Sequence, residues 1–193
     1  MGHREDLLEG AKRCLLAKGF VGTTARDIVK ESGTNLASIG YHYGSKDALL
    51  AEAYIALVSS ASADWEQASF ATRPGSLERF EEVWGGVVRT MKEPGSVWRL
   101  SIEIIAMGDK MPAVRDYLAK EQAEGGRGFI AMLMGVEEAA VSDDEVATLG
   151  KFLTTMMTGL IAQYSFAPET APSGRELTEG LRRLMKAADG AES

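Results

Sequence analysis

The sequence predicts an all-α protein, with an N-terminal three-helix helix-turn-helix domain and a larger C-terminal helical domain, about nine helices in all. Three observations predict it. Apolar residues recur at i, i+3, i+4 spacing along most of the 193 residues. Proline, glycine and capping side chains divide the chain into pieces of helix length. No run of alternating β-branched residues reads as a strand, and no internal repeat is present. The expected boundaries are 1–48 for the first domain and 49–190 for the second.

Helix 1 is expected over about 4–18, with Leu7, Leu8, Ala11, Cys14 and Leu15 on one stripe, and Gly19-Phe20 ending it so that Phe20 fills the small core. Thr24 then caps a short helix, and Asp27 three residues later completes a T-x-x-D variant of the capping box. Ile28 and Val29 are its apolar side, and Ser32-Gly33 stops it. Asn35 caps a third helix whose inward residues are Ile39 and Tyr43, at i, i+4. Ser45 opens a long helix to about residue 70. Arg73-Pro74-Gly75-Ser76 and Glu93-Pro94-Gly95-Ser96 are the next stop–start signals, opening helices to about 91 and 107. Pro112 starts a helix to about 134 despite Gly125, Gly126 and Gly128. Ser142-Asp143-Asp144-Glu145 starts another to about 166, and after a Pro-rich loop the last covers about 175–188.

The third helix carries the functional signal. Its outward residues are Ala37, Ser38, Tyr41 and His42, small and polar early, then two rings able to donate hydrogen bonds. A helix-turn-helix needs such a face, because the first residues of its second helix meet base edges in the major groove. The order T-T-x-R-D-I, a glycine turn, a short helix ending Y-H-Y and then G-S-K-D-A-L-L resembles the DNA-binding domain of TetR-family transcriptional regulators, from about Leu7 to Leu50. Gly40 and Leu36 depart from that pattern, which often has a larger residue and a polar or basic one there. The resemblance implies DNA contacts from Thr24, Arg26, Asn35, Ala37, Ser38, Tyr41, His42 and Lys46. Arg26 would reach a guanine edge, and Lys46 would clamp a phosphate beside a helix N-terminus.

Composition fits a soluble regulator. Hydrophobic residues make up 45% and charged residues 25%, no apolar run approaches membrane length, and the N-terminus lacks a signal-peptide core. A lone Cys14 rules out an internal disulfide and suits a reducing cytoplasm. The net charge of −7 opposes DNA binding until it is divided. Residues 1–50 hold seven Lys/Arg against six Asp/Glu, a net of +1, and the rest hold 14 against 22, a net of −8.

The larger half suggests a small-molecule effector, hydrophobic in character. The helix over 96–107 is apolar almost all round and should be buried on most sides, with Glu103 inside it facing either Arg99 or a ligand. The expected lining is Trp84, Met91, Trp98, Ile102, Glu103, Met107, Phe129 and Met156. Residues 149–164 offer apolar positions on more than one face with small residues for close approach, and resemble the family's penultimate, dimer-forming helix. Phe152, Thr155, Gly159, Leu160 and Gln163, with Leu177, Leu181 and Leu184 of the last helix, are the expected homodimer interface.

Enzymatic chemistry has little support. His3, His42 and Cys14 supply neither a metal cluster nor a nucleophile–base pair, no phosphate-loop spacing occurs, and no cofactor is implied. The expected function is a ligand-responsive dimeric repressor of a palindromic double-stranded operator. The alternative is a dimeric ligand-binding or protein-interaction module whose helix-turn-helix does not bind DNA.

Overall fold

The computed structural model describes residues 3–68, 71–93, 97–107 and 112–191. Among these, every regular element is helical. In chain order they are α1 (His3–Gly22), α2 (Ala25–Ser32), α3 (Leu36–Tyr43), α4 (Lys46–Ala68), α5 (Leu77–Lys92), α6 (Trp98–Met107), α7 (Pro112–Met134), α8 (Asp143–Glu145), α9 (Lys151–Phe166) and α10 (Gly174–Ala191). The all-α expectation holds. Ten α-helical segments stand where about nine were expected, because a π-helical turn over Val146–Gly150 divides the 142–166 helix into α8 and α9. The Pro94-Gly95-Ser96 signal and the expected helix end at Phe70 lie outside the described residues.

The chain forms two compact units, residues 1–61 with 94–122, and residues 62–93 with 123–193. This partition differs from a boundary at 48/49. α4 brings the fully buried Leu49, Leu50, Ala51 and Ala53 into the first unit, and α6 packs there against α1. The core of that unit also holds Leu7, Ala11, Leu15, Phe20, Ile28 and Ile39. Cys14 is 6% exposed, and burial pushes its thiol up from the ordinary value.

In the second unit Val83, Trp84, Val87, Ile130, Leu153, Met157, Leu160 and Ile161 form the core. The glycines of α7 have a packing reason. A Cβ on Gly126 would meet the Gly150 backbone at 3.3 Å, so two glycines let α7 and the π turn cross closely. Arg79, almost fully buried, donates from Nε to the Met132 carbonyl (3.0 Å) and from Nη1 to the Thr72 carbonyl (3.2 Å). It thereby satisfies an end carbonyl of α7 that no helix bond reaches.

The candidate nucleic-acid interface

The caps that fix the helix-turn-helix form as expected. Thr24 accepts from the Asp27 amide at 3.2 Å, while Asp27 Oδ2 accepts from the Thr24 amide (2.9 Å) and hydroxyl (2.6 Å). Lys18 adds a hydrogen bond to the other Asp27 oxygen. That bond first, then the Thr24 hydroxyl and amide, holds the Asp27 carboxyl well below the usual carboxylate range. Gly33 closes α2 at φ 68°, and Asn35 Oδ1 accepts from the Ser38 amide at 3.1 Å to open α3. Tyr43 donates to the Arg4 carbonyl at 2.6 Å, which ties α3 to α1. The Arg4 guanidinium lies over its ring.

These bonds set which side of α3 meets solvent. Ile39 is buried, whereas Leu36, Ala37, Gly40 and Tyr41 are exposed, Tyr41 at 86%. The four form one stripe at i, i+1, i+4 and i+5. Ser38 and His42 flank it, half-buried, and the His42 ring meets Tyr41 edge-on at 4.8 Å. The two departures from the family pattern thus sit on the outward stripe itself. A Cβ on Gly40 would meet nothing within 4 Å, so the backbone there is uncovered.

Charge on this unit is mostly neutralised. Arg4 pairs with Glu52, Lys12 with Glu9, Arg13 with Glu31, Lys18 with Asp27 and Lys46 with Asp47. Lys46 Nζ also donates to the Thr23 carbonyl at 3.2 Å, so it stitches the start of α4 to the turn before α2. Among the described residues no carboxylate lies within ion-pair distance of Arg26 or Lys30, which are exposed one helical turn apart on α2. Their i, i+4 spacing puts both on one side of α2.

Residues 7–53 match the family described as bacterial regulatory proteins, tetR family. The match covers the N-terminal part of the chain, about a quarter of its length. Its N-terminal stretch is similar to the HTH-type transcriptional repressor AcnR of Corynebacterium efficiens and that of Corynebacterium glutamicum, each 37% identical over 46 residues. That similarity covers 24% of this chain and 24% of each relative, so the chain matches about a quarter of their length. Solved structures extend the likeness of fold over the rest. A candidate transcriptional regulator from Streptomyces coelicolor A3(2) aligns with TM-score 0.68 at 17% identity, covering 94% of this chain and 96% of its own. The multidrug binding protein EbrR complexed with proflavin aligns with TM-score 0.62 at 21% identity, covering 95% and 99%. No helix among the described residues is long and apolar enough to cross a membrane.

The expected effector lining is divided between the units. Trp98, Ile102, Glu103 and Met107 belong to the first, and Trp84, Met91, Phe129 and Met156 to the second. Within the second, Trp84 and Phe129 stack with centroids 5.6 Å apart and planes 15° from parallel. Trp84 is fully buried, and among the described residues its Nε1 has no hydrogen-bond partner. α6 is less enclosed than its composition suggests, since Ile105 is 56% exposed and Ala106 faces solvent. Glu103 makes the expected i, i+4 pair with Arg99, at the long end of ion-pair distance, and a second contact besides. Arg99 approaches it only to 3.9 Å, while Oε2 accepts from the Phe20 amide at 2.7 Å.

Of the expected interface residues, Phe152, Thr155, Gly159, Gln163 and Leu184 are exposed, and Leu177 and Leu181 half-buried. Leu160 is the exception: it is buried within its own unit, because it falls on the inward side of α9 with Leu153, Met157 and Ile161.

Proposed function

We propose that this chain is a transcriptional repressor that binds a palindromic operator as a homodimer and releases it when a small, largely apolar effector binds the C-terminal half. The carrying observation is the α3 stripe, where Leu36, Ala37, Gly40 and Tyr41 stand clear of the core behind an Asn35-capped N-terminus. An uncovered helix face with small residues early is what entry into a major groove requires. Lys30 supplies unneutralised charge for the backbone alongside it, and Arg26 a guanidinium that can reach a base edge. Thr24 and Lys46 are engaged within the domain, so any phosphate contact from them exchanges an existing bond.

The effector half of the reading is supported by fold and by chemistry. EbrR, a structure of similar fold, binds proflavin. Trp84 offers an unpartnered N–H in an apolar surrounding, and a buried donor of this kind invites an acceptor. An effector that favours the operator-incompetent state must bind that state more tightly, and operator must weaken effector binding by the same factor.

The test is a gel shift with duplex from upstream of the protein's own gene across a salt series. Specific binding is expected, with Arg26→Ala relaxing sequence preference, and Lys30→Ala weakening all duplexes and reducing the salt slope by about 1. A second reading, a module that does not bind DNA, is favoured by the internal pairing of five of the seven cations in residues 1–50. No binding to any duplex at low salt would establish it.

A further inference from the structure

α1 does not simply end at Gly19. It breaks there, with φ 74° and ψ −179°, and resumes for one more turn to Gly22. That combination is in practice open only to glycine. Three backbone groups around the break bond side chains instead. The Gly19 carbonyl accepts from the Thr23 hydroxyl at 2.6 Å. The other two partners come from α6, some 83 residues along the chain: the Leu16 carbonyl accepts from Arg99 Nη2 at 2.8 Å, and the Phe20 amide donates to Glu103 Oε2 at 2.7 Å. Glu103 also fills the space a side chain at residue 19 would need, since a Cβ there would lie 2.2 Å from Oε1. Alongside, Tyr54 of α4 bonds Ser101 of α6 at 2.6 Å, and its ring packs against Phe20.

We propose that Glu103 is a positioning residue for operator binding: through the Phe20 amide it locks the broken end of α1, and with it the DNA-reading helices, onto α6. The proposal rests on the DNA-binding reading above. Its physical basis is that α6 is flanked in sequence by α5 and α7, which run into the second unit, whereas α1 to α3 carry the reading face. The Phe20 amide has lost its place in the helix ladder, and its bond to Glu103 is partly sheltered from water, so removing the acceptor leaves a donor unmet. Without that bond, the α1–α3 head stays folded on its own core but loses its fixed orientation on α6. A dimer engaging two half-sites must then order two loosened heads, while one head on one half-site pays nothing extra.

This predicts a signature that a merely structural role would not give. Duplexes are selected from random sequence with the wild-type protein, and affinities are measured for the full palindrome and an isolated half-site. Glu103→Ala should weaken the full site by about tenfold and leave the half-site within about twofold. Glu103→Gln, which keeps an acceptor for the Phe20 amide, should recover most of the loss. In parallel, exchange of the Phe20 amide should accelerate in Glu103→Ala and much less in Glu103→Gln. Equal losses on both duplexes, or no loss on either, overturn the positioning role while leaving DNA binding intact. A loss of fold in Glu103→Ala is separated by Glu103→Gln: if that variant folds yet binds the full site as poorly, the proposal fails. A wild type that selects no duplex overturns the DNA-binding reading and the latch with it.

Discussion

Gly40 shows how one residue sets stability against recognition. It lies in the interior of an eight-residue helix, where glycine costs about 1 kcal/mol relative to alanine. Nothing occupies the space its side chain would fill. Gly40→Ala should therefore raise the thermal midpoint of the head, consistent with about 1 kcal/mol, and lower operator affinity because the backbone no longer approaches the groove as closely. A variant both more stable and equally tight would remove Gly40 from the interface. Asp27 has a pH signature. Its folded-state value is depressed by Lys18, then by the Thr24 hydroxyl and amide, so its contribution is complete above the unfolded value of about 3.9 and is lost as pH falls towards the folded one. Circular dichroism melts should show stability falling below about pH 4, with a shallower fall in Asp27→Asn.

At the level of elements, α1 carries the next prediction. Gly19→Ala forces a Cβ into a glycine-only conformation and against the Glu103 carboxylate, so the head should lose about 1–3 kcal/mol or more. Chemical denaturation followed at α1 measures it, and an unchanged midpoint would contradict the strain. The contrast between α1 and its neighbours shows what the sequence could reveal. The Thr24–Asp27 and Asn35–Ser38 caps span three residues, so their chemistry is written locally and α2 and α3 were legible to the residue. At Gly19 the local signal said only that a regular helix stops. Continuation to Gly22 depends on Arg99 and Glu103, which no local pattern links to it. Gly126 likewise reads locally as a weakness in α7, and its reason, the close approach of Gly150, lies some 24 residues along the chain. The outward α3 residues were legible from periodicity, but not the cancellation of most basic side chains, which needs partners such as Glu52 from other helices.

At the scale of the molecule, two-fold assembly must be argued from what the second unit leaves uncovered. Phe152 and Phe166 of α9 and Leu184 and Met185 of α10 are exposed, Phe166 at 76% and Leu184 at 68%. The polar groups between them are prepared for burial. Thr155 bonds back to the Lys151 carbonyl at 2.7 Å and Thr158 to the Thr154 carbonyl at 2.9 Å, so covering this side of α9 strands neither hydroxyl. Large apolar groups beside self-satisfied hydroxyls suit an isologous interface, in which the same helices of two copies meet across a two-fold axis. Phe152→Asp combined with Leu184→Asp places two carboxylates per copy into such an interface, with no partner for either. Light scattering should then report a monomer with unchanged helical content. Affinity for the full palindrome should fall by about 100-fold or more, because the second head no longer binds as a tethered partner, while half-site affinity is kept. The double variant also separates the two routes to weak binding. If it stays dimeric, the two-fold axis lies elsewhere on the chain; if it becomes monomeric yet binds the full site as tightly as before, recognition does not depend on pairing two heads.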